Sequence, residues 1–256
     1  MMNIALDKSI KTAPNDVSGA QHAGRNIDMQ QQAGEELAFS QKYDEKHARH
    51  YFEKHQDGLW RRLSDWRDHQ IARKALRIAG NPHEVLDVPC GTGRFWDVLA
   101  EDPDRVIHAS DYNQSMIDTG MANRPKEITG RIRSFQGSAF NLPVPDNFVD
   151  SIFSIRFVHH LGESEDRLKL LREFHRVSRD TVILSMWVDG NVKAMARRSL
   201  EKKRPGRAYQ NRFVIPVATI EEEFARSGFS IEARLDFLKY YHMWRTYVLR
   251  KTQGQA

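Results

Sequence analysis

Four short apolar runs constrain this chain more than anything else in it: Val85 to Val88, Arg105 to Ala109, Val149 to Ile155 and Thr181 to Val188. Stretches of helical spacing separate them, at Arg94 to Glu101, Ser115 to Arg124 and Ser164 to Ser178. In the last of these Leu168, Leu171, Phe174 and Val177 form one stripe, and Ser164 stands where it can cap the start. Short strands alternating with helices need crossover connections, so an α/β fold is expected, with a mostly parallel sheet and helices on both faces. Near the end, Thr219 and Glu222 read as a capping-box pair opening "TIEEEFARSG", followed by two further strands, "FSIEARLDF" and "MWRTYVLRK". Their short link predicts an antiparallel hairpin at one sheet edge.

The chain has 256 residues, 40% of them hydrophobic, enough for one sizeable core. Up to about Gly34 the sequence is rich in Gln, Asn, Ala and Asp with almost no aromatic residue, so residues 1–35 are expected to be a mobile tail. Residues 36–80 are charged, aromatic and free of proline until Gly80-Asn81-Pro82, and Ile71, Ala72, Ala75, Leu76, Ile78 and Ala79 lie at helical spacing. They are read as an N-terminal helical cap ahead of a main domain at 81–256. One cysteine, Cys90, excludes an internal disulfide and a cysteine-based zinc cluster, and no metal site is expected. "MMNIALDKSIKTAPNDVSGAQ" lacks the apolar centre of a signal peptide, and no run approaches the ~18 apolar residues of a membrane span. A cytoplasmic protein is the expectation. The formal charge of +5 biases its partners toward anionic molecules or surfaces.

The first apolar run ends in a carboxylate and leads directly into a bare turn, "VLDVPCGTGRFW". Glycines let a ligand approach the backbone with no Cβ in the way, and parallel sheets hold ligands at the carboxyl ends of their strands. A dinucleotide motif needs a third glycine where this chain has Trp96, and a phosphate-binding loop needs Lys followed by Ser or Thr where it has Arg94-Phe95. What remains is a ligand with a nucleoside and no phosphate.

Four segments in order, "LDVPCGTG", "ASDYNQSM", "GSAFNLPVPDNFVDSIFSIRFVHHL" and "LREFHRVSRDTVILS", resemble the class I S-adenosylmethionine-dependent methyltransferases, in particular the small-molecule and lipid branch with the quinone methyltransferases. The resemblance covers roughly Tyr43 to Lys251. It implies a Rossmann-like sheet of seven strands and S-adenosylmethionine as cofactor, with S-adenosylhomocysteine as product. By the same resemblance, Asp87 and the turn Pro89, Cys90, Gly91 and Gly93 hold the methionine part. Asp111 accepts from both ribose hydroxyls, Tyr112 and Met116 flank the adenine, and Ser138, Ala139 and Phe140 close its other side. Arg156 lines the methyl-transfer end, and Tyr43 reaches over the cofactor. Two positions depart from the pattern. Pro89 replaces the usual first glycine, removing a donor and fixing φ, and Ser138 replaces an acidic residue that would accept from the adenine amino group.

Displacement at a sulfonium needs the nucleophile placed and desolvated, and it needs a base only if the acceptor arrives protonated. His160, ahead of His159, is the candidate base, set against a packing role for both. Cys90 reads as a small buried filler. The stretch Lys193 to Arg212 carries eight basic residues against one acid, Glu201, and is read either as a basic lid at about 190–215 or as a solvated loop. As a lid it suits a small, lipid-like or anionic acceptor such as a phosphorylated sugar or glycolipid, with peripheral membrane contact. The aromatic cluster "FLKYYHMW" is assigned to core and strand packing. Two other functions compete. Methylation of RNA or DNA is opposed by "SIRFVHHL", which lacks the N-P-P-Y or D-P-P-Y that presents a planar amine. A non-catalytic cofactor-binding sensor or scaffold is favoured mildly by Pro89 and Ser138.

Overall fold

The computed structural model describes residues 59–202 and 212–252. The expected tail, the first part of the expected cap with Tyr43, and residues 203–211 of the basic stretch lie outside them.

Helix α1 (Leu59–Ile78) turns Ile71, Ala72, Ala75 and Leu76 into the core. It stops at Gly80, whose φ of +86° costs little without a Cβ. There the Gly80 N–H donates to the Arg77 carbonyl and the Asn81 N–H to that of Leu76, satisfying carbonyls that the helix leaves open.

The chain then runs β1 (Glu84–Asp87), α2 (Trp96–Leu99), β2 (Val106–Asp111), α3 (Gln114–Asn123), α4 (Lys126–Thr129), β3 (Ile132–Gln136) and β4 (Val149–Ser154). A 3-10 turn at Val158–His160 leads to α5 (Ser164–Val177), β5 (Ser178–Trp187), α6 (Val192–Lys202), α7 (Val217–Arg226), β6 (Phe229–Asp236) and β7 (Trp244–Lys251). The seven strands form one sheet in the order β3-β2-β1-β4-β5-β7-β6. Neighbours from β3 to β5 are parallel, and β7 runs antiparallel to both β5 and β6. This is the expected Rossmann-like sheet with its edge hairpin. Successive residues Val85, Leu86 and Asp87 are all buried, so both faces of the central strand are covered. β2 and β4 flank β1 on opposite sides, so consecutive crossovers diverge there and leave a crevice at the carboxyl ends.

Several local readings need correction. β3 gave no apolar run because it is an edge strand with only Ile132 buried. α2 is a single turn beginning at Trp96, since the bare loop occupies the residues before it. Ser164 does not cap α5: it is the first helical residue, and its hydroxyl donates to Glu223 of α7 at 2.6 Å. Thr219 lies inside α7, which starts at Val217 after Pro216, so the capping box does not form. The orphan Val217 N–H is taken instead by the Asp189 carboxylate at 3.0 Å, a cap supplied from 28 residues away. The "FLKYYHMW" cluster does not pack as a unit: Met243 is buried, but Leu238, Tyr240 and Tyr241 are exposed.

Candidate active site

Both sides of the crevice are built from strand ends. On the first side β1 ends at Asp87, and the chain passes through Pro89 and Cys90 into two left-handed glycines, Gly91 at φ +54° and Gly93 at φ +68°. The Cys90 N–H donates to the Ser110 carbonyl and the Gly93 N–H to that of Cys90, which fixes the turn against β2. A Cβ on Gly93 would stand 2.4 Å from the Trp96 ring, and one on Gly120 of α3 would stand 3.0 Å from the same ring. The fully buried indole is therefore wedged between two glycines, and the third motif position is large because space was cleared for it elsewhere.

Asp111 ends β2 with a buried carboxylate. Its Oδ2 accepts from the Gly91 N–H and its Oδ1 from the Asn113 N–H, both at 2.9 Å. Each oxygen keeps a lone pair for a further donor. Burial holds the Asp111 acid above its ordinary pKa against those two hydrogen bonds. Asp87 is raised well above the carboxylate range, first by burial and then by the negative charge of Asp111, and its Oδ2 has no hydrogen-bond partner. Burial, then the two carboxylates, pushes the Cys90 thiol up as well, which keeps it protonated and suits a filler.

The remaining first-side residues close around this turn. Met116 is buried beside Gly91, and Tyr112 is half-buried. The loop after β3 returns through the Gly137 N–H, which donates to the Asp111 carbonyl. It carries half-buried Ser138, whose hydroxyl accepts from the Phe140 N–H, buried Ala139, and Phe140 edge-on to Phe157.

The second side is cationic and aromatic. Arg156 follows β4 in a left-handed conformation (φ +65°), held by its N–H to the Ser185 hydroxyl, with its guanidinium 4.6 Å from the Trp244 ring centre. His159 is buried among His160, Trp187 and Trp244, with ring centres 4.0, 5.1 and 4.7 Å away. Burial and the neighbouring cations push its pKa far down, so the imidazole is neutral. His160 is half-buried. Arg197 of α6 and Arg212 both lie over Trp187, at 4.8 and 5.9 Å. The segment after the basic stretch is pinned here too, since the Phe213 N–H donates to the His159 carbonyl at 2.7 Å and the Phe213 ring lies where a Cβ on Gly162 would come.

Helix α1 joins the two sides, which the sequence reading missed. Asp65, Asp68 and His69 share one face at i, i+3 and i+4 in "LSDWRDHQ", and that spacing was the available signal. Arg94 donates to Asp65 and Asp68 at 2.8 and 2.7 Å, and Asp68 also takes Arg156. His69 lies 3.3 Å from Asp65 and 3.5 Å from Asp97; these carboxylates outweigh burial and push it up to about 10. Beside this network Asp68, Ile71, Ala72, Ile155, Phe237 and Trp244 line a small pocket.

Residues 86–186 match the family described as "Methyltransferase domain". Demethylmenaquinone methyltransferase of Geobacillus kaustophilus is 29% identical over 140 residues, covering 53% of this chain and 56% of the relative. The enzyme of the same name from Listeria welshimeri is 29% identical over 117 residues, covering 44% and 46%. The chain thus spans about half the length of the curated relatives it matches. In fold it is similar to magnesium protoporphyrin IX methyltransferase from Synechocystis, crystallised with bound S-adenosylhomocysteine: TM-score 0.61, 15% identity, 77% of this chain and 89% of that one. It is similar also to the [4+2]-cyclase SpnF, with TM-score 0.55, 16% identity, and 72% and 82% covered. The likeness in domain and fold is to class I S-adenosylmethionine-dependent methyltransferases, and the cyclase is a reminder that this fold hosts more than one reaction.

Proposed function

We propose, from the premise that this chain carries a class I S-adenosylmethionine-dependent methyltransferase domain, that it transfers a methyl group from that cofactor to a small acceptor bearing negative charge, lipid-like in its body. The observation that carries the cofactor half is the pair of buried carboxylates, Asp87 and Asp111, on either side of the left-handed turn at Gly91 and Gly93. The residues fit the group chemically. Asp111 accepts and cannot donate when ionised, which suits a ribose diol, and the unpartnered Asp87 oxygen beside a second carboxylate favours a cationic ligand. Met116 and Ala139 offer apolar surface for a base.

When bound, S-adenosylmethionine supplies a methyl group on a positively charged sulfur, already activated for displacement. The chain's part is placement. Arg156, Arg197 and Arg212, set around Trp187 and Trp244, support recognition of a carboxylate or phosphate on the acceptor, and helix α6 acts as the lid. Where the acceptor arrives as a hydroxyl or ammonium, His160 takes the proton, and His159, held neutral and enclosed, positions it.

The test has two parts. Calorimetry with S-adenosylhomocysteine is expected to give saturable one-site binding. A labelled-methyl assay on a fractionated cell extract is expected to place label in an anionic lipid or small-metabolite fraction. Binding without label in any fraction leaves a sensor and removes the enzyme, label in RNA replaces the acceptor class, and no binding removes the whole reading.

A further inference from the structure

Among the described residues, the large apolar side chains that face solvent fall on three segments only: α1, α6 and the turn between β6 and β7. Trp66 is 58% exposed on α1, Met195 is 63% exposed on α6 beside Val192, and the turn presents Leu238, Tyr240 and Tyr241, with Tyr240 at 72%. These segments touch. The Arg67 guanidinium donates to the Phe237 carbonyl at 3.0 Å, tying α1 to the turn. The Val192 and Lys193 N–H groups donate to the Tyr240 and Tyr241 carbonyls at 3.1 and 3.0 Å, tying α6 to it. The exposed apolar side chains therefore sit on adjoining segments, which together make an apolar rim.

We infer that this rim is a docking surface for an anionic lipid bilayer. Charge selects that occupant. Lys193 and Lys239 lie over the exposed Tyr241 and Tyr240 rings, at 5.4 and 4.9 Å, so each ring carries a cation beside it. α6 opens the stretch with eight basic residues against one acid. Tryptophan on α1 and tyrosines on the turn, each with an apolar body and a polar tip, beside the basic helix α6, match the headgroup layer in both hydrophobicity and sign. Ala194 faces the core while Val192 and Met195 face out, so α6 shows apolar surface on the side a soluble helix would make polar. Phe237 and Trp244, which bracket the turn, both line the small pocket beside Asp68. The docking itself does not depend on methyl transfer.

Flotation of the full chain with vesicles tests this. Recovery is expected with phosphatidylglycerol–phosphatidylcholine vesicles and little with phosphatidylcholine alone. K193Q/K239Q is expected to lower the binding constant on the anionic vesicles about thirtyfold, because each basic residue at such a surface contributes about 1 kcal/mol. M195S/Y240S is expected to abolish binding while leaving the unfolding midpoint and S-adenosylhomocysteine affinity unchanged. Absence of the wild-type chain from the floated fraction overturns the proposal, as does binding that both variants retain. A chain that ignores vesicles but forms dimers that M195S/Y240S dissociates assigns the rim to a second copy instead.

Discussion

β1 and β2 end in two buried carboxylates around a turn with almost no side chains, whereas β4 and β5 end among three guanidiniums, two indoles and two imidazoles. The first side is a backbone device: its parts come from two short contiguous stretches, Asp87 to Gly93 and Asp111 to Met116, because strand end, turn and helix start must follow one another along the chain. The second is a side-chain device, assembled from residues 156, 159, 160, 187, 197, 212 and 244, which only the sheet order brings together. On the proposed function, the difference in charge follows a difference in task. A cationic nucleoside ligand needs acceptors and open backbone, and an anionic acceptor needs donors and an apolar bed.

The largest effect is expected on the backbone side, from Gly93→Val. The new side chain would need a φ near +68° and would meet the Trp96 ring, so both strain and overpacking apply. Together they should cost about 3 kcal/mol or more in urea unfolding. An unchanged midpoint would mean that the indole wedge yields, and that this side is less rigid than its twin glycines imply. Next, Asp111→Ala should weaken S-adenosylhomocysteine binding about tenfold to a hundredfold by calorimetry, the range for charge-assisted hydrogen bonds lost from a buried site. Equal affinity would detach the carboxylate from the ribose.

These two residues also mark what was legible in the sequence. A carboxylate at a strand end and glycines after it are local signals, so Asp87, Gly91, Gly93 and Asp111 stand out without a structure. Trp96 was legible only as a reason against a dinucleotide; that Gly120 makes room for it needs the packing of α3 on the turn. Trp187 and Trp244 read as ordinary strand residues because their significance lies in the cross-strand pair they form, and in the arginines that settle on them from α6 and beyond. The exposed β6–β7 turn was misread for a related reason: composition cannot separate a buried aromatic cluster from a rim.

Helix α1 is where the two sides become one unit, and pH probes that joint. His69 gains its carboxylate partners on folding and is pushed up to about 10, so its contribution to stability is fully present below its ordinary value near 6.5 and is lost as pH rises toward 10. Asp65 is lowered by His69 and Arg94 despite burial, so its contribution is present above the ordinary carboxylate range and lost on acidification. Unfolding midpoints should therefore fall between pH 6.5 and 10 in the wild type, and fall less in H69Q. The partly exposed partners limit the difference to about 1–2 kcal/mol.

The smallest effect is expected from R197Q/R212Q, and it sharpens the comparison most. Both guanidiniums lie over Trp187, on elements that enter neither the glycine turn nor β2. Inorganic phosphate and benzoate, titrated separately at constant ionic strength and read by tryptophan fluorescence, should each bind about tenfold more weakly to the double variant, as expected when charge-assisted bonds are lost at a partly exposed site. S-adenosylhomocysteine affinity should not move. A preference for phosphate over benzoate in the wild type would point to a phosphorylated acceptor, and the reverse to an aryl carboxylate. If cofactor affinity fell in parallel with anion affinity, the two sides would be electrostatically coupled, with the Arg94–Asp68–Arg156 chain as the physical route, since Asp68 holds a guanidinium from each side on a single carboxylate.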